Sequence, residues 1–190
     1  RLKNGNGYML TTLSNNTLVN DFNRYKDPEN ETDVIFKNDA KESETKLRYE
    51  LNQFLSDWKL STGFNVQSSG YHNSTLDVVN NLVFSTDINF VKYGLFANIT
   101  RSFINDKLDL SFGFRMDGDT FTQNDNLLST FSPRFSASYE FATDWRVNGS
   151  VGRYYKLPPY TILGFRNDAN ELVNQNVDYT RSDHFVIGVE

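Results

Sequence analysis

Between residues 107 and 116 every second side chain is apolar: Leu108, Leu110, Phe112, Phe114 and Met116 alternate with Asp109, Ser111, Gly113 and Arg115. Side chains repeating at every second position share one face of an extended strand, whereas a helix would scatter them around its axis. The alternation returns over 131–141, where Phe131, Pro133, Phe135, Ala137, Tyr139 and Phe141 oppose Ser132, Arg134, Ser136, Ser138 and Glu140. Further strands are predicted at 44–55, at 57–67 (Trp58, Leu60, Thr62, Phe64, Val66), at 88–103, at 145–155 (Trp145, Val147, Gly149, Val151) and from 179 onward (Phe185, Ile187, Val189). A first strand near 8–13 and a short piece at 34–36 bring the total to about nine. Composition agrees, because 16 Phe and 10 Tyr make up much of a hydrophobic share of only 38%. Sheet accommodates that mixture better than helix does.

The connections carry a second pattern. Those at 56–57, 104–106 and 142–144 are two or three residues long, each with the Asp or Asn that tight turns favour. Those at 14–43, 68–87, 118–130 and 157–178 are long and rich in Asn, Asp, Ser and Thr. Short and long alternate, so every long connection falls at the same end of the strands. Outer-membrane barrels have this layout, with strands of about 9–11 residues crossing the hydrocarbon. The predicted fold is all-β, an antiparallel up-and-down transmembrane β-barrel with its apolar face to lipid and its polar face to a hydrated lumen. Trp58, Trp145, Tyr139, Phe141, Tyr154 and Tyr155 fall near strand ends, where amphipathic rings suit the headgroup region. Arg134, Arg146, Arg153, Glu140 and His184 are expected on the lumen side. Two other architectures share the period: a soluble extracellular β-sandwich that binds carbohydrate or a surface ligand, and a small self-contained outer-membrane barrel. In the sandwich the apolar faces meet inside, so side-chain direction separates it from the membrane readings.

Several function classes lose their support. The chain has no Cys, hence no disulfide, thiolate metal site or thiol nucleophile. A net charge of -5 and no basic block argue against nucleic acid as a partner. Gly5-Asn6-Gly7 lacks the third glycine and the helix of a nucleotide fingerprint. His72 and His184 stand in no zinc spacing, and the oxygen-rich stretch of Asp117, Gly118, Asp119, Asn124, Asp125 and Asn126 lacks the Glu that closes a calcium loop. No catalytic residue, metal or cofactor is expected.

Two stretches carry a family resemblance. Phe131-Ser132-Pro133-Arg134-Phe135, followed by Asp144-Trp145-Arg146 and by Gly152-Arg153-Tyr154-Tyr155-Lys156-Leu157-Pro158-Pro159, resembles the barrel of TonB-dependent outer-membrane receptors, with their S-P-R-F strand, D-x-W turn and G-R-x-(F/Y)-(K/R)-x-P-P close. Gly113-Phe114-Arg115-Met116-Asp117 and the ending Gly188-Val189-Glu190 are similar to the ends of other strands in that family. The likeness is best over 93–190. Residues 174–181 lack the N-P-x-L-K-P-E of siderophore-type members and look more like the Bacteroidetes branches. The resemblance implies that residues 1–190 are part of a barrel of about 22 strands, with a plug domain and a TonB-contacting segment outside this stretch. It implies outer-membrane lipid, the plug, TonB and a small nutrient ligand as partners: an iron chelate, cobalamin, an oligosaccharide or a peptide. Ligand contacts are then expected from rings and polar groups in the outward loops, namely Tyr71, His72, Phe121, Tyr160 and Phe165.

Overall fold

A computed structural model of the protein describes residues 2, 6–122, 126–167 and 169–190. Gly5, Asn124 and Asp125, named above, lie outside the described residues. Eight antiparallel strands follow one another in a single curled sheet: β1 (Gly7–Asp27), β2 (Thr32–Leu55), β3 (Trp58–Asp77), β4 (Leu82–Phe103), β5 (Leu108–Asp119), β6 (Ser132–Ala142), β7 (Trp145–Lys156) and β8 (Thr180–Val189). Each pairs with the next in sequence, so the sheet is half a barrel with β1 and β8 at its edges. One short helix, α1 (Tyr160–Leu163), lies in the connection between β7 and β8.

Among the described residues the strand count is eight rather than nine. The piece at 34–36 is part of β2, and most of 14–43 and 68–87 is strand rather than loop. Only 28–31 and 78–81 turn, and both turns are built alike. Asp27 accepts from the Asn30 backbone N–H at 3.4 Å and side-chain amide at 2.8 Å; Asp77 does the same for Asn80 at 3.1 and 2.7 Å. Glu31 and Asn81 then take positive φ, of 51° and 50°, and the chain reverses. The ladder continues to these turns although hydrophobic alternation does not, because backbone pairing makes no demand on side-chain polarity.

Cross-strand partners share a face, and the rows are uniform in character. Ile99, Phe112, Phe135, Val151 and Phe185 form one row across β4–β8; Asn98, Gly113, Arg134, Gly152 and His184 form the next, on the other face. The apolar face is the bare one. Phe112, Phe135, Val151 and Phe185 are all exposed, Phe185 to 80%, and so are Leu47, Phe64, Val66 and Leu95. A sandwich would bury these groups between sheets, so the single sheet with its hydrophobic side outward overturns that architecture. In water such a surface would be far larger than a soluble monomer tolerates. In β3 the band runs from Trp58 to Val66, about 26 Å along the strand, and the outward band of such barrels is about 25 Å tall. Beyond it the outer face turns polar, with Ser68, Gly70, His72 and Ser74 on β3 and Lys41, Asp39 and Lys37 on β2.

The charged residues expected in the lumen divide by parity. Arg146 faces inward and reaches Glu140 at 3.6 Å and Asp109 at 3.9 Å, while Arg134 lies over the Tyr154 ring at 4.4 Å. His184 also faces inward, bonded to Ser182 at 2.8 Å. Arg153 does not: it shares the outer face with Val151 and pairs with Asp183 at 2.8 Å. The same alternation turns Tyr154 inward and leaves Tyr155 outside.

Candidate functional site

Above the apolar band, the inner faces of β2, β3 and β4 form a wall, and the connection between β7 and β8 crosses to reach it. After Pro158 and Pro159, α1 places Tyr160 against Tyr71 (6.2 Å between ring centroids) and edge-on to Phe90 (5.5 Å). Leu163 is wholly enclosed, and Ile88 completes the cluster. Phe121, from the connection after β5, packs on Phe90 at 5.5 Å, and Phe165 stacks on Phe84 at 6.5 Å. The strap is further held by Arg166, which donates to Thr86 (3.2 Å) and to the Asn170 carbonyl (2.8 Å), and by Asn174 donating to the Ile162 carbonyl (2.7 Å).

A polar layer lies beneath this cluster. Lys92 donates to Glu44 at 2.8 Å and to the Tyr160 hydroxyl at 2.5 Å, and that hydroxyl donates to the same Glu44 oxygen. Burial, reinforced by the neighbouring Glu44 carboxylate, raises the Tyr160 phenol above its ordinary value, so it stays protonated. Arg115 grips Asp117 through Nε at 2.6 Å and Nη2 at 2.5 Å, and the same Nη2 also donates to the Asn65 side-chain oxygen at 2.9 Å. Gly94 leaves the room for this fork, since a Cβ there would stand 2.3 Å from the Asp117 carboxylate. Asp119 is buried and fixes the start of the next connection. It accepts from the Phe121 and Thr122 backbone, the Thr122 hydroxyl and the Tyr179 phenol, whose ionisation burial and the carboxylate strongly oppose. Asn126 caps a short 3-10 turn at Leu127–Thr130. Asp117 and Asp119 of the oxygen-rich stretch are therefore engaged in holding the chain. Among the described residues no three His, Cys, Asp or Glu gather as a metal would require.

Between the strap and the wall lies a cleft of about 480 Å³. Its lining mixes signs, with Glu42, Glu44 and Asp117 against Lys46, Lys92 and Arg115. The model of one protein family, TonB dependent receptor-like, beta-barrel, matches residues 1–190. The chain belongs to that family. Among solved structures it is similar to the copper transporter OprC, with a TM-score of 0.71 at 12% identity over 97% of this chain and 33% of that one. It is also similar to FpvA of P. aeruginosa in complex with a ferric pyoverdine, with a TM-score of 0.59 at 16% identity over all of this chain and 29% of that one. The chain thus spans about a third of the solved structures it resembles. No curated protein matches its sequence.

In this TonB-dependent receptor-like wall the five ligand-contact candidates take different places. Tyr71 is buried in β3, not exposed in a loop, because its connection proved to be strand. Phe121, Tyr160 and Phe165 do lie in connections, packed on the wall. His72 sits on the outer face of β3, its Nδ1 2.8 Å from Asp87. Tyr160 alone of the five lines the cleft. Sequence reasoning missed the cleft's charged groups, Glu44, Lys92, Arg115 and Asp117. Their signal was parity: each lies on the polar side of its strand, Glu44 and Lys92 midway along β2 and β4 and Arg115 and Asp117 near the outward end of β5.

Proposed function

We propose that this chain is a section of the wall of an outer-membrane TonB-dependent receptor in a Gram-negative bacterium, whose plug and TonB-contacting segment lie elsewhere in the same protein. The receptor binds a scarce nutrient at its outward end and imports it at the expense of energy delivered by TonB, with no bond chemistry of its own. The observation that carries this reading is the two-faced sheet, bare and apolar outside, polar inside, and prolonged outward past the band by β1–β4. The ligands of the two structural neighbours, copper and ferric pyoverdine, favour a small solute. They do not choose among iron chelate, cobalamin, oligosaccharide and peptide. Contacts are assigned to the cleft, with the partly exposed Lys92 and Arg115 as its donors and Tyr160 as part of its lining. Tyr71, Phe121 and Phe165 shape the mouth by packing the strap.

The test is uptake by cells carrying the full-length receptor, with each nutrient class supplied in turn as the limiting source. One class should support growth only when both the receptor and TonB are present, and Tyr160→Ala should reduce that uptake. Equal growth on every class with and without the receptor would overturn the proposal.

A further inference from the structure

On the outer face of β5–β8, a groove of about 320 Å³ opens among Phe112, Pro133, Phe135, Val151 and Phe185, with Arg153 at its outward end. The next outward position on β8 that shares this face is Arg181, opposite Tyr155. One carboxylate, Asp183, serves both guanidinium groups, at 2.8 Å from Arg153 and 3.3 Å from Arg181. The patch therefore carries a net positive charge at the upper edge of an apolar band. The lower edge differs. There Arg101 is held over the Trp58 and Phe103 rings, at 4.9 Å from each, and leans on Asp57 at 3.3 Å. Its charge is matched one to one by Asp57. The outward edge at β7–β8 combines an acyl-sized apolar channel with surplus cationic charge.

We propose that this groove seats an anionic lipid of the outer leaflet, one acyl chain lying along Phe112, Phe135 and Phe185 and a phosphate of the headgroup bound by Arg153 and Arg181. Guanidinium forks suit phosphate oxygens, and rings at this depth suit the boundary between chain and headgroup. The proposal rests on the membrane placement proposed above and adds a specific lipid position to it.

The experiment uses the full-length receptor in detergent, titrated with dilauroyl phosphatidate or dilauroyl phosphatidylcholine and followed by native mass spectrometry. Phosphatidate should be held at least about tenfold more tightly than phosphatidylcholine. Arg153→Gln with Arg181→Gln should abolish that preference, and Asp183→Asn, which removes the competing carboxylate, should increase it. Equal retention of the two lipids, or a preference that ignores all three substitutions, would overturn the seat. A nitroxide on Phe112→Cys in the reconstituted receptor separates the two levels. Accessibility to a water-soluble nickel chelate rather than to oxygen would overturn the membrane placement itself. Oxygen accessibility without phosphatidate preference would overturn only the lipid seat.

Discussion

The two halves of the sheet are built to different lengths. Strands β1–β4 run for 20 to 24 residues and end in four-residue turns, whereas β5–β8 run for 10 to 12 and end in long irregular connections. The short strands are about as long as a bilayer crossing requires, and nothing in lipid rewards a longer one. The long strands carry roughly ten further residues past the apolar band, and on their inner side those residues bind what the short strands release: the strap with α1, and Phe121. One half supplies wall and the other supplies the material packed on it. Strand length here reports what the inner face must hold as well as the thickness that must be crossed.

The strongest way to break this comparison is Leu163→Asp, which puts a carboxylate at a site with no exposure. Docking of the strap should be lost, at a cost upwards of about 5 kcal/mol. Hydrogen exchange in the full receptor should then show protection falling in the outward ends of β3 and β4 while β5 and β7 are unchanged. Equal loss everywhere would mean that the halves are not independent. Next, Phe112→Arg in the band should cost about 2–4 kcal/mol in bilayer unfolding, whereas Ser74→Arg on the outer face beyond the band should cost close to nothing. Similar costs at both sites would erase the boundary drawn through β3. Tyr160→Phe, removing the hydroxyl shared by Lys92 and Glu44, should weaken docking by about 1–3 kcal/mol with the barrel intact, read from the same exchange experiment.

Docking should also depend on alkaline pH. The free phenol ionises from about its ordinary value of 10.0, while docked Tyr160 resists ionisation because it is buried beside Glu44. Stability fully present below pH 10.0 is therefore lost as pH rises through the raised docked value. The same titration of Tyr160→Phe should be flatter. Smallest of all, His72→Ala should change stability by less than about 1 kcal/mol, since its pair with Asp87 is exposed.

The short half is legible in the sequence because one face is apolar and the other polar, so polarity alternates residue by residue, as in 107–116 and 131–141. The outward parts of β1–β4 read as loops because polar groups line both of their faces. Asp39, Lys41, Glu42 and Ser43 look no different from a solvated loop, yet all sit in a continuous ladder. The local mark that remained was the pair Asp27…Asn30 and Asp77…Asn80, a repeated turn that places two hairpin tips. The strap's target was not legible at all. Nothing local in Tyr160 names Tyr71, Phe90 or Glu44, and two tyrosines in separate stretches that read as loop become neighbours only through the register of four intervening strands.

The bond from Tyr160 to Glu44 joins positions 116 residues apart. Closing so large a ring early would sacrifice much chain freedom for a single contact, whereas pairing neighbouring strands shortens the path at each step. The mouth is consequently furnished last, after the hairpins from β2 to β7 have been laid side by side. A receptor interrupted during insertion should display an uncovered tyrosine and phenylalanine wall, giving the cell's quality-control machinery a surface by which to recognise unfinished barrels.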